Sequence, residues 1–358
     1  MEYKFLTGVE KWAEELYKAI CSVSESRAKL LVSKRPITLP SFEALSKQER
    51  SMLKAQYEKF GICLFASSSI PDRTNGHPLF RLVEQLRDDD WLNFPMRHPL
   101  EGHPESVKRF GPNDHTFKIY DLSKSPAEGY VEVAETHKEF HTHSDGLGSG
   151  GTVQTVVLYC DSPAERGGQF YYYDLIELFK LLYEYSRKTF AALMMDRAIT
   201  VTRNRGKGAI RVSSPIIYFA DDELPGFFYR KPSGEYSVEY ANYKLVQEGI
   251  QFIEQYAQPG TTCSIEVPFD QPFTGAILNN RFSAHHRNSF VDDASSRLLS
   301  RKWYMRSTTH QPYKHIPLIL LSERYYKLYP RYADRKYHTG EWLYDSATDS
   351  HQIANLIG

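Results

Sequence analysis

The chain has 358 residues, enough to bury a large core, and its 44 basic residues balance its 44 acidic ones. This balance, without a long block of like charge, argues against a surface built for nucleic acid or an anionic membrane. The four cysteines include no CxxC pair, which argues against a zinc–thiolate site or a disulfide scaffold. Because the sequence shows no recognisable signal peptide or membrane span, we expect a cytoplasmic protein.

The N-terminal part of the chain is predicted to be helical, with one buried strand. Apolar residues every three or four positions predict an amphipathic helix within residues 1–30. A capping box at Ser46–Glu49 predicts a second helix, which ends at the next glycine. The wholly apolar stretch 62–66 then predicts a strand that is buried on both faces. A third helix is expected near 78–91, and 93–115 are expected to form an irregular loop, a candidate lid.

From residue 116 onward the pattern is dominated by short strands. They are expected at 116–122, 130–136, 152–160, 198–203, 209–212, 216–220, 226–230, 263–268, 274–278 and 298–306. Two helices interrupt them, one capped by Asp174 and one between residues 241 and 257. Many closely spaced strands, few helices and no βαβ alternation predict a mainly β core, as a sandwich or barrel, with flanking helices.

The chemistry is expected where two distant stretches meet, 139–146 and 280–287. Two imidazoles and one carboxylate suit a non-haem Fe(II) ion, because they hold one face of its octahedron and leave three positions open. Alternate residues at a strand's end point to the same side, so His143 and Asp145 can reach one ion, with His285 as the distal ligand. The arginines that follow His285 suit the two-pronged binding of a carboxylate.

These motifs together resemble the clavaminate synthase and taurine dioxygenase (TauD/TfdA) superfamily over roughly residues 59–306. The shared pattern is Phe-His-Thr/Ser-acid, which falls within residues 140–145 here, followed by a Gly-Gly turn, Asn-Arg-x-x-x-His-x-Arg and Arg-x-x-x-Arg. Members are Fe(II)- and 2-oxoglutarate-dependent oxygenases, which consume O2 on a double-stranded β-helix, also called a jelly roll or cupin-like fold. The resemblance implies His143, Asp145 and His285 as iron ligands and Arg297 as the clamp for the distal carboxylate of 2-oxoglutarate.

The resemblance also divides the chain and suggests substrate contacts. We expect a single domain, with a helical decoration over 1–58, a jelly-roll core over 59–306 and an extension over 307–358. Arg301 falls where taurine dioxygenase-like members contact an anionic substrate group. Arg306 is a further candidate, and a surface ion pair is the alternative for both arginines.

Three departures from the family pattern affect the assignment of residues. The family often has a threonine after the Gly-Gly turn that helps to hold 2-oxoglutarate, and here Gln169 or Tyr172 is expected to replace it. His286 stands where a glycine is usual. His141 precedes the triad and makes the register ambiguous, although the spacing from the apolar strand at 156–160 favours His143.

The implied reaction is hydroxylation of a small polar substrate, such as an amino acid or its derivative, with release of succinate and CO2. Desaturation or cyclisation uses the same cofactors and differs only in how the substrate is placed. Asp292 and Asp293 are candidates for contact with a substrate amine. No nucleic-acid or membrane partner is expected, and the sequence does not indicate an oligomeric state.

Three other interpretations compete with the oxygenase. The stretch from His141 to Gly146 resembles the HxHxDH signature of zinc hydrolases of the metallo-β-lactamase type, with glycine in place of the last histidine. A jelly-roll protein that binds a ligand without catalysis is a second. In the third, the histidines are strand-end residues bonded to neighbours, and Asp145 belongs to a turn. Iron binding and consumption of 2-oxoglutarate distinguish the oxygenase from all three.

Overall fold

A computed structural model describes a large part of the chain. The described residues are 2–26, 35–74, 76–87, 91–92, 94–96, 116–122, 132–146, 153–195, 197–204, 208–220, 223–292, 297–305 and 341–344. Of the irregular loop predicted at 93–115, only residues 94–96 are described, and they form a strand rather than irregular backbone because they pair with a later strand of the chain. The rest of that stretch and most of the chain beyond residue 305 lie outside the described residues. Within the described part, none of the helices has the length and apolar character that a membrane crossing requires.

Helices flank a core made mainly of strands. The described helices are α1 (Glu2–Glu25), α2 (Lys47–Phe60), α3 (Pro78–Arg87), α4 (Leu175–Tyr185), α5 (Arg187–Leu193) and α6 (Lys244–Tyr256). The described strands are β1 (Ile37–Leu39), β2 (Ile62–Ser67), β3 (Phe94–Met96), β4 (Phe117–Ile119), β5 (Phe140–His143), β6 (Val153–Ser162), β7 (Arg166–Gly167), β8 (Phe170–Asp174), β9 (Ile199–Asn204), β10 (Gly208–Ser214), β11 (Ile217–Phe219), β12 (Pro225–Phe227), β13 (Tyr236–Tyr240), β14 (Ser264–Val267), β15 (Thr274–Asn279), β16 (Ser283–Arg287), β17 (Phe290–Val291), β18 (Leu298–Met305) and β19 (Glu341–Tyr344).

The largest sheet has seven strands, in the order β1-β2-β15-β6-β18-β3, with β4 also paired to β18. Its apolar strand β2 is buried on both faces, as the sequence predicted. Ile62 and Leu64 belong to the core on one face, whereas Cys63 and Phe65 belong to the core on the other. This division follows from the alternation of side chains along a strand.

A second sheet, in the order β14-β8-β16-β5, contributes to the first of these cores. Phe170 and Ile265 of the second sheet share a buried apolar cluster with Leu158 and Leu278 of the seven-stranded sheet. Strands from the two sheets therefore bury apolar faces in one core, which gives a mainly β fold with helices around it.

Helices cover the opposite face of the seven-stranded sheet. Leu53 of α2 and Leu82 of α3 are buried in one cluster with Phe65 and Ile277. The predicted capping box at the start of α2 is present: Ser46 accepts a bond from the backbone N–H of Glu49, and the Glu49 carboxylate accepts one from Ser46. The helix ends at Gly61, as predicted, with that glycine in the left-handed conformation.

A third cluster lies among helices α1, α4, α5 and α6 and the strands β9, β11 and β12. Asp174 caps α4, as predicted, by accepting bonds from the backbone N–H groups of Ile176 and Glu177. Strands β13, β9, β10 and β19 form a separate sheet in that order. In this sheet Arg211 of β10 is opposite Glu341 of β19.

The prediction of a strand over 130–136 is wrong for the part that the structure describes. Val133–Glu135 form a turn of 3₁₀ helix. The Glu135 carboxylate accepts the backbone N–H of Glu132 at 3.1 Å, and Glu235 accepts that of Val133 at 3.0 Å. These local and long-range carboxylate bonds satisfy the backbone donors, so the segment does not need a strand partner.

Several elements were missed from the sequence, among them helix α5 and the strands β1, β3, β8, β13 and β16. Helix α5 follows α4 after Ser186, whose hydroxyl accepts the backbone N–H of Thr189. Strand β13 contains alternating half-buried and exposed residues, a pattern that does indicate an edge strand.

Gly275 of β15 provides a test of the seven-stranded sheet. A Cβ atom on this residue would lie 2.1 Å from Cζ of Phe65 and 2.7 Å from the carbonyl oxygen of Leu158. We expect Gly275→Ala to lower the free energy of unfolding by about 1–3 kcal/mol, the usual cost of overpacking, measured by urea titration. Ile70→Ala, at a side chain that is 81 % exposed, is the control. Equal stabilities for the two variants would contradict the close packing of β15 on β2.

Candidate metal centre

Strands β5 and β16 bring the two distant motifs together. They pair antiparallel, with His285 directly opposite His143. Side chains that are opposite each other in an antiparallel pair lie on the same face of the sheet. The two imidazole rings accordingly have centroids only 4.3 Å apart. Residues separated by more than 140 positions in the printed sequence thus become neighbours through one strand pair.

Asp145 completes a cluster of three buried metal-binding side chains. Its Oδ1 atom lies 3.6 Å from Nε2 of His143 and 3.8 Å from Nε2 of His285. One ligand atom from each of the three residues lies within 4.8 Å of the others. His143, Asp145 and His285 are 0 %, 6 % and 5 % exposed, so water has little access to the cluster. The separations leave room for one ion between the three atoms.

The two ring nitrogens of His143 are arranged as metal binding requires. The Nδ1 atom of His143 lies 2.7 Å from the carbonyl oxygen of His141, which assigns the proton to Nδ1 and leaves the Nε2 lone pair available. That buried Nε2 atom has no hydrogen-bond partner in the described part of the chain. A buried nitrogen acceptor without a partner is costly, and a bound cation would remove this cost. The donor set therefore fits a ferrous ion.

The Asp145 carboxylate is held from the other sheet. Trp303 of β18 donates its indole N–H to Oδ2 at 2.9 Å, and Nη1 of Arg301 lies 3.3 and 3.2 Å from the two oxygens. The backbone is held as well, because the Asn280 side chain accepts the N–H of Asp145 at 2.8 Å and donates to its carbonyl at 3.0 Å. These bonds orient Oδ1 toward the two histidines before any ion binds.

The ionisation states also suit a cation. Burial lowers the pKa of His143 well below its usual value and lowers that of His285 to about 4. Burial alone would raise the pKa of Asp145, but the Arg301 guanidinium and the two neighbouring imidazoles hold it well below the ordinary value. At neutral pH the cluster consists of two neutral imidazoles and a carboxylate, which is the form that binds a metal.

Loss of the Trp303 hydrogen bond tests how far the surroundings of Asp145 support metal binding. We expect Trp303→Phe, which keeps a ring but removes the donor, to weaken Fe(II) affinity about 10- to 100-fold. Trp91→Phe is the matched control, because Nε1 of the buried Trp91 has no partner among the described residues. Affinity is measured by competition with a chelator, and equal affinities in the two variants would contradict the role given to Trp303.

Arg297 lies just before β18 and is fully buried, with 1 % exposure. Its guanidinium lies over the ring of Phe290 at 5.1 Å, and its Nη2 atom has no hydrogen-bond partner in the described part of the chain. Burial lowers its pKa to about 10, so the group is still cationic at neutral pH. A buried cation with an unpartnered hydrogen-bond donor is suited to bind the carboxylate of a small molecule.

The other residues predicted for the site are placed as follows. Arg301 is buried, at 5 % exposure, and contacts Asp145, so it is not in a surface ion pair. The Gln169 side chain is exposed and accepts a bond from Asn288, whereas Tyr172 is buried and donates to the carbonyl of Gly61. Asp292 accepts the backbone N–H of Arg297. Arg306 and Asp293 lie outside the described residues.

The structure also shows which of the two nearby histidines, His141 or His143, lies with the other metal-binding side chains. His143, and not His141, lies with Asp145 and His285. His141 lies instead with Glu139 and His286 in a second group whose possible ligand atoms also lie within 4.8 Å of one another. That group includes a glutamate side chain that is 47 % exposed, and its members pair among themselves. The buried group is therefore the stronger candidate for a permanently bound metal.

Sequence reasoning missed two side chains that shape the site. Trp303 follows Arg301 by two positions on one strand, so their shared face was a readable signal. Arg230 lies next to β12 and pairs with His143 through an isolated β-bridge. No motif surrounds this arginine in the sequence, and only the fold brings it to the centre.

Sheets that enclose a buried pair of histidines and a carboxylate define an enzyme of the non-haem metal class. The family model described as "Taurine catabolism dioxygenase TauD, TfdA family" matches residues 24–303. The chain belongs to this family and is a 2-oxoglutarate-dependent dioxygenase with Fe(II) as its metal and O2 as its second substrate. This membership favours the oxygenase over the zinc-hydrolase and non-catalytic interpretations. A search of curated proteins found no match.

Solved structures with similar folds are distant in sequence. An asparagine oxygenase in complex with Fe(II), 3-hydroxyasparagine and succinate is 13 % identical, with 83 % of this chain and 91 % of that chain covered and a TM-score of 0.54. A putative taurine dioxygenase from Burkholderia xenovorans is 14 % identical, covering 75 % and 91 %, with a TM-score of 0.49. PvcB from Pseudomonas aeruginosa is 13 % identical, covering 74 % and 82 %, with a TM-score of 0.47. The first of these similarities supports the fold.

Proposed function

We propose that this enzyme hydroxylates a small polar substrate, such as an amino acid or its derivative, and releases succinate and CO2. The observation that carries the proposal is the buried group of His143, Asp145 and His285, with their ligand atoms within 4.8 Å of one another. Two imidazoles and one carboxylate leave open positions on Fe(II) for the keto acid and O2. Fe(II), 2-oxoglutarate and O2 together supply the oxidising power for attack on a substrate C–H bond.

The protein's own contribution is to hold ligands, bind the keto acid and exclude water. The bond from His143 to the carbonyl of His141 holds the imidazole with Nε2 toward the metal. Trp303 and Arg301 hold the Asp145 carboxylate. We assign the distal carboxylate of 2-oxoglutarate to Arg297, because this buried cation has a donor without a protein partner among the described residues.

Arg301 has a different role in this proposal from the one that the sequence suggested. Its contact with both oxygens of Asp145 makes it a positioning residue for a metal ligand. Contact with an anionic substrate group stays a prediction, as do substrate binding by Arg306 and keto-acid binding by Gln169.

The carboxylate of Asp145 also restricts the outcome of the reaction. A carboxylate ligand occupies the coordination position that a halide ion would need, so halogenation is disfavoured. Hydroxylation, desaturation and cyclisation remain compatible with the ligand set, because the position of the substrate decides among them.

We further propose that the strands around this site form a double-stranded β-helix within a single domain. In this arrangement residues 1–58 are a decoration and 307–358 an extension of the core. The parallel pairing of β1 with β2 is consistent with a close association between the N-terminal segment and the core. The proposed setting is cytoplasmic, and the proposed partner is a small-molecule substrate.

The proposed function is tested by adding Fe(II) and 2-oxoglutarate to the purified protein without O2. We expect the visible absorption band of a 2-oxoglutarate chelate, followed by succinate formation when O2 is admitted. Failure to form the band and failure to make succinate would overturn the proposal. Two bound zinc ions per chain and a hydrolytic activity indifferent to O2 would favour the hydrolase instead.

A further inference from the structure

We propose that Arg230 binds a carboxylate group of the substrate next to the metal centre, so that the enzyme acts on a carboxylate-bearing small molecule. This inference rests on the proposed function and specifies its substrate class. It concerns a residue that carries no sequence motif and that lies outside the family pattern on which the keto-acid clamp was assigned.

The backbone around Arg230 places its side chain beside a metal ligand. Arg230 and His143 form an antiparallel β-bridge. The bridge is supported on both sides, since Ser144 donates its N–H to the carbonyl of Tyr229 at 3.2 Å and Lys231 donates to that of Thr142 at 2.9 Å. Directly opposed residues in such a pair project to the same face. The Arg230 side chain therefore leaves the backbone on the face that carries the His143 imidazole.

Two aromatic rings hold the guanidinium in place. Its central carbon lies 3.2 Å from the ring centroid of Tyr236 and 5.1 Å from that of Phe140. The Phe140 ring is itself 3.9 Å from the His143 ring, which connects the arginine directly to the metal centre. Stacking on aromatic faces leaves the edge of a guanidinium available for hydrogen bonds, and that edge matches a carboxylate in two-pronged fashion.

Among the described residues no carboxylate forms an ion pair with Arg230, although the charges of Glu235 and Asp145 act on it at longer range. The residue is 2 % exposed, and its Nε and Nη2 atoms have no hydrogen-bond partner in the described part of the chain. Burying a cation without such partners is costly, so a site of this kind is completed by an anion. The neighbouring Arg203 shows the contrast, because it forms a buried ion pair with Glu132.

The charge also acts on the metal ligands. Burial lowers the pKa of His143 most, His285 is the second cause and the Arg230 charge is the third. The Arg230 charge also lowers the pKa of His285. The guanidinium is therefore within electrostatic reach of both imidazoles. A substrate held here by its carboxylate would have its remaining atoms close to the ferrous ion, as a C–H oxidation requires.

The other arginines near the centre are already assigned to other contacts. Arg301 contacts Asp145, and Arg287 donates to the carbonyls of Ala134 and Thr136. Arg297 is assigned to 2-oxoglutarate. Since the keto acid and the substrate each need an anchor, Arg230 supplies the second one. A planar carboxylate fits its fork, whereas a neutral amide cannot offer two equivalent anionic oxygens.

The test compares carboxylates with their amides on the protein loaded with Fe(II) and 2-oxoglutarate without O2. The probes are acetate, glycine and the common L-amino acids, each set against its carboxamide, with the melting temperature as readout. We expect at least one carboxylate to raise the melting temperature of the wild-type protein while its carboxamide does not. Arg230→Gln should weaken the apparent affinity for that probe roughly 10- to 100-fold, as loss of charge-assisted hydrogen bonds does.

Controls separate this inference from the proposed function and from misfolding. Arg211→Gln removes a surface arginine whose side chain is 40 % exposed, and it should respond to the probe as wild type does. Arg230→Lys keeps the charge without the fork and should be intermediate. The 2-oxoglutarate absorption band should persist in Arg230→Gln, and its absence from the wild-type protein would instead count against the proposed function. An equal response to carboxylate and carboxamide, no response to any carboxylate, or a wild-type response from Arg230→Gln would overturn the role of Arg230.

Discussion

His285→Ala is expected to abolish turnover, because it removes one of the three side chains that, among the described residues, offer ligand atoms to the buried centre. Loss of an outer partner of a metal ligand costs about 10- to 100-fold in affinity or activity, so loss of the ligand itself should exceed about 100-fold. The 2-oxoglutarate absorption band should disappear under the same conditions. Both effects are measured on purified protein with succinate release as the activity assay.

His286→Ala is the matched control for this experiment. It removes the adjacent histidine, which belongs to the second group with Glu139 and His141. We expect it to keep the band and most of the activity. The opposite result, with iron lost from His286→Ala and retained by His285→Ala, would move the metal to the second group and refute the triad.

Arg297→Gln is expected to raise the KM for 2-oxoglutarate at least about 30-fold. Truncating one partner of a buried, hydrogen-bonded charge pair costs about 2–5 kcal/mol, and each 1.4 kcal/mol is about tenfold in affinity. Iron binding should be preserved, because Arg297 is not among the grouped metal-binding side chains. Steady-state succinate formation over a series of 2-oxoglutarate concentrations measures the effect.

Arg281→Gln is a suitable control for Arg297→Gln. This arginine donates to the carbonyls of Pro225 and Leu224, and its replacement should leave the KM for 2-oxoglutarate near its wild-type value. An unchanged KM in Arg297→Gln, together with normal folding, would remove the clamp assignment. The unpartnered donors of Arg230 would then be the next candidate for the keto acid.

Local signals predicted several helices and strands around the site, but not β16, which carries His285. The capping box of α2, the buried strand β2 and the Asp174 cap of α4 each depend on side chains a few residues apart. For that reason short-range rules were sufficient for them. The predicted strand at Val133–Glu135 was wrong, because the distant Glu235 carboxylate accepts a backbone N–H of this turn.

The residues of the candidate site also fall into two groups, those that local motifs predicted and those that depend on contacts between distant parts of the chain. His143, Asp145 and His285 were found from residue type and motif, and the structure brings them together. The hydrogen bond from Trp303 to Asp145 joins different sheets, and Arg230 reaches the centre through a single β-bridge. Such contacts depend on how strands from distant parts of the chain are arranged, which hydrophobic periodicity does not encode.

The contact between Arg301 and Asp145 has a consequence for the order in which ligands bind. Two neutral imidazoles, one carboxylate and one guanidinium give the metal-binding side chains and Arg301 together no surplus negative charge. A divalent ion that binds these side chains therefore brings an excess of positive charge, which the dianionic keto acid offsets. Each ligand should strengthen the binding of the other by the same factor, so the dissociation constant of 2-oxoglutarate should depend steeply on ferrous ion concentration.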